Sequence, residues 1–319
     1  MTFSIVESNS KTWRAINRCP TWIGSNLPPK TAIFTPGFIQ KVYHSSHLAS
    51  ILYNETMKAW IFDVDGVITN LATRKVEHPQ IVQKIVEKLE AGEPVGIITG
   101  RALPWLSERV LSLIEKQTKN PSVLNNLCIE AEFGGISVIY DHGQKNEAIE
   151  TNLSISLEIL SQLEKLVKKD FSDGMFVDSG KRTHFTAEMK ESVGSDLFKQ
   201  KQKELVEKLK KIIDEHGLSE IVEIHEDAIA TNVKNKKLNK HLATQKLLTW
   251  LTGRNLNPEI FYVFGDSTSD LQIGEELNKQ NKKVEFIYTG TDDLGDQPFE
   301  IIKTKEKFDE GTLEYLSNS

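Results

Sequence analysis

The sequence has few cysteines and no long apolar run, and each absence excludes a class of protein. Only two of its 319 residues are cysteines, Cys19 and Cys128, so we exclude a disulfide framework and expect a reducing compartment. No stretch approaches the roughly 18 consecutive apolar residues of a membrane-spanning helix. The N-terminus lacks a basic stretch followed by an apolar one, which is the pattern of a secretory signal. We therefore predict a cytoplasmic protein with no membrane partner.

An excess of basic residues is also absent. The chain has 39 lysines and arginines against 45 aspartates and glutamates, a net charge of −6. Because nucleic-acid binding depends on a basic surface, we expect no nucleic-acid partner. With 39% apolar and 26% charged residues, the composition is that of a folded globular chain. Its length fits two domains, or one domain with a large insertion.

Residues 1–57 differ in pattern from the rest of the chain. Two turn-forming segments, Asn26–Lys30 and Thr35–Gly37, separate short apolar pieces. We predict an irregular N-terminal extension with one helix near residues 46–54. This extension favours one alternative function, that of a scaffold or regulatory protein that binds a partner.

From residue 58 onward, short apolar runs alternate with amphipathic helical patterns. The runs at 59–62, 94–98 and 260–264 are continuously apolar, as expected for strands of a parallel sheet covered by helices on both faces. These runs predict an α/β fold with a Rossmann-like, doubly wound parallel-sheet core.

A central segment, residues 141–233, has a different pattern. Its two amphipathic helices alternate with two hairpin patterns, one of them turning at Asp178-Ser179-Gly180. Because hairpins are antiparallel, we predict a smaller inserted α+β cap domain. The predicted domains are the extension 1–57, the core 58–140 and 234–319, and the cap 141–233.

Polar residues follow three of the predicted core strands at the points where the strands end. These residues are, in chain order, Asp63, Asp65, Thr99, Gly100, Arg101, Asp266 and Asp270. In an open parallel sheet, ligands bind beyond the carboxyl ends of the strands. We therefore expect these side chains to converge although they are far apart in sequence.

Four carboxylates in one cleft would need a cation. Asp63, Asp65, Asp266 and Asp270 would repel one another, and oxygen ligands suit a hard ion such as Mg²⁺. Such an ion would also offset the charge of a phosphate, on which one carboxylate could act as nucleophile. A second carboxylate two residues on could protonate the leaving oxygen and later activate water. Asp63 and Asp65 would point to the same side of a regular strand, but a tight turn at Gly66 would alter that.

The set, order and spacing of these motifs resemble those of the haloacid dehalogenase superfamily. The segments that carry the resemblance are Asp63-Val64-Asp65-Gly66-Val67-Ile68-Thr69, Thr99-Gly100-Arg101, a lysine, and Gly265-Asp266-Ser267-Thr268-Ser269-Asp270. The resemblance covers residues 58 to about 305. The predicted cap lies between the second motif and the lysine. This placement is similar to that of the α/β-capped branch, which includes sugar-phosphate phosphatases and phosphomannomutases.

The resemblance implies a role for each residue of the first two motifs. Asp63 would be the nucleophile and Asp65 the general acid and base. Thr99 would bind the transferring phosphoryl group, and Gly100 and Arg101 would contact the substrate beside it.

The resemblance also implies a metal site. Asp63, the backbone carbonyl of Asp65, and Asp266 would hold Mg²⁺, and Asp270 would support the site without contacting the ion directly. In this branch an asparagine commonly precedes the last aspartate, whereas this chain has Ser269. That departure concerns one water-mediated metal contact and not the reaction class.

The lysine of the motif set must be chosen among neighbours. The candidates are Lys234, Lys236, Lys237 and Lys240. The helix that starts at Lys240 is most similar to the family's lysine-led helix, so we favour Lys240, with Lys237 as the next candidate. The lysine would neutralise Asp63 and the phosphoryl oxygens.

The predicted cap contributes candidates for substrate binding. In a strand over residues 181–187, Arg182, His184 and Thr186 would share one face. That face could look into the cleft, where Arg182 would grip a carboxylate or hydroxyl of the substrate and His184 would lie beside it. A closing cap excludes polymers, so we expect a small phosphorylated molecule as the partner.

We therefore predict a Mg²⁺-dependent phosphatase that hydrolyses a small phosphorylated metabolite, a sugar phosphate, through an aspartyl-phosphate intermediate. A phosphomutase of the same superfamily is the enzymatic alternative, because the Asp-Val-Asp-Gly start fits it equally well. The cap signature that we associate with phosphomannomutases is not found in this sequence. Monomer and homodimer remain open.

Overall fold

The computed structural model describes residues 56–227 and 229–319, and all elements below lie in these ranges. The strands are β1 (Lys58–Phe62), β2 (Val95–Ile98), β3 (Leu127–Ala131), β4 (Ile136–Asp141), β5 (Gln144–Ile149), β6 (Met175–Val177), β7 (Phe185–Met189), β8 (Val222–Glu226), β9 (Ala230–Asn235), β10 (Ile260–Gly265), β11 (Lys283–Tyr288) and β12 (Glu300–Lys303). The helices are α1 (Pro79–Glu90), α2 (Leu103–Leu106), α3 (Ser112–Gln117), α4 (Leu157–Asp170), α5 (Ser195–Glu215), α6 (Lys240–Gly253), α7 (Leu271–Lys279) and α8 (Phe308–Asn318). A π turn at Ser107–Leu111 joins α2 to α3.

An eight-stranded sheet forms the core, in the order β12-β11-β10-β1-β2-β3-β4-β5. The first six strands of this order are parallel, and β4 and β5 are antiparallel. In β1, Trp60 and Phe62 pack on the face covered by α1, α2, α3 and α8, while Ala59 and Ile61 pack on the face covered by α6 and α7. Burial on both faces explains the continuous apolar runs, and the α/β prediction is confirmed.

A second, four-stranded antiparallel sheet forms the cap, in the order β6-β7-β9-β8. Its apolar cluster packs the sheet against α4 and α5, with Leu163, Phe198 and Val233 fully buried. The predicted hairpin is present, since Asp178 donates its backbone N–H to the carbonyl of Thr186 at 3.0 Å. The antiparallel inserted unit is therefore as predicted.

The predicted cap boundaries are displaced. Residues 144–149 form β5, which pairs with β4 in the core sheet, so the cap comprises residues 150–235 instead of 141–233. The sequence of β5, Gln-Lys-Asn-Glu-Ala-Ile, is exposed throughout because β5 is the edge strand, and it therefore lacks the apolar run of a core strand.

Two further expectations concern the N-terminal extension and membrane-spanning helices. The irregular extension and its helix near 46–54 lie outside the described residues, apart from 56 and 57. Within the ranges that the structure describes, no helix is both long and apolar enough to cross a membrane.

The register of the core sheet brings the predicted motifs together. Phe62 of β1 pairs with Ile97 of β2 on one side and with Phe264 of β10 on the other. The segments that follow these three residues are the motif loops, so they leave neighbouring strands at the same edge. This edge is where a ligand of an open parallel sheet binds.

Candidate active site

The loop after β1 turns sharply at Gly66. Gly66 has φ +71° and donates its N–H to the carbonyl of Thr69 at 2.8 Å. A Cβ at this position would lie 2.3 Å from Oδ2 of Asp266, so the turn requires glycine for both its conformation and its close approach. The turn separates the two aspartates: Asp63 contacts Lys240, and Asp65 contacts Arg101.

Lys240 joins two carboxylates from different motifs. It is the first residue of α6, whose N-cap residue Asn239 accepts the N–H of Leu242 at 2.9 Å. Its Nζ donates to Oδ1 of Asp63 at 2.7 Å and to Oδ1 of Asp270. Burial alone would lower the pKa of Lys240, but Asp270 and Asp63 raise it well above its usual value. The ammonium group therefore stays charged.

The structure distinguishes the four candidate lysines. The Nζ of Lys234 donates to the side chain of Glu223 and to the carbonyl of Leu238. Lys236 donates to backbone carbonyls of the segment before β8, and Lys237 is exposed. Of the four, Lys240 is the one placed on Asp63.

Asp270 holds the loop after β10. Its Oδ2 accepts the N–H groups of Asp266 and Ser267 at 3.0 and 2.9 Å, and the Ser267 hydroxyl at 2.9 Å. Its Oδ1 accepts from Lys240. With both oxygens occupied, Asp270 fixes the loop and the lysine, and it leaves Asp63 and Asp266 as the carboxylates available to a ligand.

The carboxylates form a group that suits a hard cation. Oxygens of Asp63, Asp266 and Asp270 lie within 4.8 Å of one another. Burial raises the pKa of Asp63 to about 7 although Lys240 opposes the shift, and burial together with the charges of Asp63 and Asp270 raises the pKa of Asp266 to about 8. One ammonium does not balance three carboxylates, and all-oxygen ligands favour Mg²⁺. The residues therefore fit a hard divalent cation, which Asp63 and Asp266 would hold through their side chains.

Asp65 is turned away from this group and is bound by Arg101. Nε and Nη2 of Arg101 donate to Oδ2 and Oδ1 of Asp65 at 2.7 and 2.8 Å, a bidentate pair. The guanidinium also lies over the ring of Trp105, 4.6 Å from its centre. The side chain of Asp65 therefore contributes no oxygen to the carboxylate group, and its predicted metal contact is through the backbone.

Thr99 and Gly100 lie at the end of β2, beside these groups. Thr99 is buried, and its Oγ1 accepts the backbone N–H of Arg101 at 3.1 Å, which leaves the hydroxyl proton free to donate. At Gly100, a Cβ would lie 2.4 Å from Cζ of Phe133, so this position has no space for a side chain.

The two predicted cap residues do not share a strand face. Strand β7 begins at Phe185, and Glu132 ties the preceding segment to the core by accepting the N–H groups of Arg182 and Thr183 at 3.0 and 2.9 Å. The predicted strand over 181–187 is therefore wrong for residues 181–184. The N–H groups of Arg182 and Thr183 bind the buried carboxylate of Glu132 and not a neighbouring strand.

Their side chains point in different directions. Nη2 of Arg182 donates to Glu147 of β5 at 2.9 Å, in a half-exposed ion pair. His184 is fully buried beside Glu132 and Phe133, and burial keeps its pKa well below the usual value, so the ring is neutral. Thr186 donates its hydroxyl to Asn232 within the cap sheet.

Other cap residues reach the motif loops, and the sequence analysis missed them. The carboxylate of Glu188 contacts Arg101 and Arg74, and Nζ of Lys181 donates to the carbonyl of Gly100. Burial lowers the pKa of Lys181. An acidic residue within the apolar strand Phe185–Met189 was the available signal for Glu188, since a buried carboxylate needs a partner.

Neither a family model nor a curated protein matches the sequence. The solved structures that are similar to this chain in fold include the following three. The C-terminal domain of C. albicans trehalose-6-phosphate phosphatase is 16% identical with a TM-score of 0.58, over 90% of this chain and 98% of that domain. A haloacid dehalogenase-like hydrolase from Bacteroides thetaiotaomicron is 10% identical with a TM-score of 0.55, over 82% of this chain and 99% of that one.

The third structure, a trehalose-6-phosphate phosphatase related protein, is 14% identical with a TM-score of 0.54, over 82% of this chain and 96% of that one. This chain has the fold of a haloacid dehalogenase-like hydrolase.

We expect Asp266→Asn to stabilise the fold when no metal is present. Because the pKa of Asp266 in the fold is about 8, against an ordinary 3.8, its ionisation costs stability that grows as pH rises between these values. The variant should raise the Tm at pH 8 by about 2–4 °C, or ~1 kcal/mol, and by less at pH 5. Thermal unfolding in EDTA measures this.

Mg²⁺ should reverse this difference in stability: it should stabilise the unchanged protein more than Asp266→Asn. A saturating ion at 100 times its Kd stabilises the native chain by about 2.7 kcal/mol, whereas Asp266→Asn should gain little. The exposed Asp296→Asn is the matched control and should behave as the unchanged protein under both conditions. Equal Mg²⁺ shifts in all three proteins would contradict a metal site at Asp266.

Proposed function

We propose that this protein is a Mg²⁺-dependent phosphatase that hydrolyses small sugar phosphates through a phosphorylated Asp63. The observation that carries the proposal is the contact of Lys240 with Asp63 and Asp270, next to Asp266. Three carboxylates and one ammonium group meet at the carboxyl edge of the sheet. A phosphoryl group bound there would need cations to offset its charge and a nucleophile to attack phosphorus. The likeness in fold to proteins named as phosphatases supports the same reaction class.

The first half of the reaction transfers the phosphoryl group to Asp63. An oxygen of Asp63 attacks phosphorus, and the bond from phosphorus to the leaving oxygen breaks. Asp65, in its protonated form, gives its proton to that oxygen, and the free sugar departs. The hydroxyl of Thr99 and the ammonium of Lys240 stabilise the charge on the phosphoryl oxygens.

The second half returns the enzyme to its starting state. The carboxylate of Asp65 takes a proton from water as the water oxygen bonds to phosphorus. The bond between phosphorus and the Asp63 oxygen then breaks, and inorganic phosphate leaves. Asp65 therefore ends the cycle protonated, as it began it.

Mg²⁺ bound by Asp63, Asp266 and the backbone of Asp65 would neutralise charge on the phosphoryl group. Asp270 would not contact the ion; it orients Lys240 and fixes the loop that carries Asp266. This division explains why Asp270 is buried and fully bonded while Asp266 is partly exposed.

The cap supports a small, polar substrate. Lys181 and Glu188 extend from the cap to the segment Gly100-Arg101. Charged and hydrogen-bonding groups of the cap therefore lie over this part of the site. A covered site excludes water and long polymers, and polar groups of this kind suit sugar hydroxyls.

Phosphate release by the purified protein tests the proposal. We expect release from one or more members of a panel of phosphorylated sugars, sugar acids and nucleotides in the presence of Mg²⁺, and loss of release in EDTA. Preference for nucleotides would contradict the sugar-phosphate class. Conversion of a hexose 1-phosphate to its 6-phosphate without free phosphate would identify a phosphomutase, and no reaction with any compound would contradict the proposal.

A further inference from the structure

A chain of alternating charges links the cap to the proposed acid–base residue. In β7 of the cap, Oε1 of Glu188 accepts from Nη1 of Arg101 at 3.2 Å, and Oε2 accepts from Nη1 of Arg74 at 2.9 Å. The other two nitrogens of Arg101 bind both oxygens of Asp65. Arg101 therefore stands between a carboxylate of the cap and a carboxylate of the core.

These groups are largely withdrawn from solvent. The side chains of Glu188 and Arg101 are 8% and 12% exposed, and that of Asp65 is 29% exposed. Trp105 covers one face of the guanidinium. Removing one partner from a buried charge pair leaves an uncompensated charge, which is costly, so each member strongly affects where the others can go.

The proposed reaction requires Asp65 to be free of part of this contact. Asp65 must give a proton to the leaving oxygen and later take one from water, yet both of its oxygens face Arg101 in this arrangement. Arg101 can release Asp65 at low cost when another carboxylate holds the guanidinium. Glu188 is already in contact with it and can take this role.

We propose that Glu188 is a positioning residue that shares Arg101 with Asp65 and retains the guanidinium when Asp65 leaves part of this contact for proton transfer. The proposal rests on the proposed phosphatase function and adds a cap residue to its machinery. It also couples cap to chemistry: Glu188, held by Arg74 as well, gives the Arg101 guanidinium a second carboxylate partner that remains when Asp65 turns toward the leaving oxygen or water.

Glu188→Gln tests this with p-nitrophenyl phosphate as the probe. Its leaving group departs without protonation, so Asp63 should still be phosphorylated quickly, whereas hydrolysis of the phosphorylated enzyme still needs Asp65 as base. We expect a burst of about one nitrophenol per chain followed by a steady rate about 10²-fold below that of the unchanged protein. KM should fall together with the steady rate, and kcat/KM for nitrophenol release should change little, because phosphorylation of Asp63 is not impaired. A defect that only unfolds part of the protein would lower the burst and the steady rate together.

Glu147→Gln is the matched control. It also removes a carboxylate from a contact between cap and core, the half-exposed pair of Arg182 with Glu147, but lies away from Arg101. It should show the kinetics of the unchanged protein. Combining Glu188→Gln with Asp65→Asn should add no further loss to Asp65→Asn alone, since the two act through one step.

If Glu188→Gln does not fold, by circular dichroism, Glu188→Asp takes its place, because it keeps the charge but shortens the reach to Arg101 and should give the same burst. Steady kinetics without a burst in the folded variant, or losses that multiply in the double variant, would overturn the role of Glu188. Absence of phosphate release by the unchanged protein would overturn the proposed function instead.

Discussion

Asp63→Asn will lower the turnover number about 10⁴-fold or more while the protein stays folded. The amide of asparagine is not a nucleophile toward phosphorus, so the phosphorylated intermediate cannot form. The variant removes one of the three carboxylates around Lys240 but leaves the pair of Lys240 with Asp270 in place. Loss of turnover therefore has a chemical cause and not a structural one. Phosphate release at saturating Mg²⁺ and thermal unfolding measure the two quantities.

The control for this variant is the charge-matched Asp296→Asn, an exposed change of the same kind, which should keep full turnover. A residual turnover above about a hundredth of the original, in a preparation whose unfolding is unchanged, would place the nucleophile elsewhere.

Lys240→Met will abolish turnover and also destabilise the fold by about 3–5 kcal/mol. Methionine fills much of the volume of the lysine stem but leaves Asp63 and Asp270 without their buried cation. The carboxylates then repel one another and lack a charge to stabilise the phosphoryl oxygens. Denaturant unfolding measures the stability, and phosphate release measures the turnover.

Lys237→Met is the matched control for Lys240→Met. Lys237 lies three residues earlier in the chain and is exposed, so its replacement should change neither quantity measurably. Loss of turnover in Lys237→Met, or its retention in Lys240→Met, would mean that the contacts of Lys240 with the two aspartates do not serve the reaction.

Much of the core could be predicted because its strands are buried on both faces. A strand such as β1, in which alternate residues contact helices on opposite sides, has a continuous apolar sequence with few other interpretations. The motif residues follow such strands directly, so parallel pairing brings Asp63 and Asp266 to one edge once the fold class is known.

Other features depend on contacts that no local pattern encodes. The strand β5 is polar and exposed because it lies at the sheet edge, and the sequence analysis therefore assigned it to the cap. The directions of Asp63 and Asp65 diverge because of the turn at Gly66, which the sequence indicated without fixing its aim.

The cap residues show the same limit. Arg182 and His184 were chosen by strand alternation, but Glu132 of the core binds the backbone N–H groups of Arg182 and Thr183, and the strand starts only at Phe185. Glu188 was missed because its partners, Arg74 and Arg101, belong to the core. Which cap side chain meets which core loop depends on how the two sheets are docked, and periodicity within one strand carries no information on that.

Detection of a phosphoryl group on Asp63 tests the central claim most directly. Asp65→Asn protein would be mixed with p-nitrophenyl phosphate and Mg²⁺, quenched in acid, and analysed by peptide mass spectrometry. Without Asp65 as base the intermediate should persist, so we predict one phosphoryl group per chain, located on Asp63. No phosphoryl group should form when EDTA replaces Mg²⁺. If the unchanged protein releases phosphate but the Asp65→Asn protein carries no phosphoryl group, or carries it on another residue, the account is contradicted.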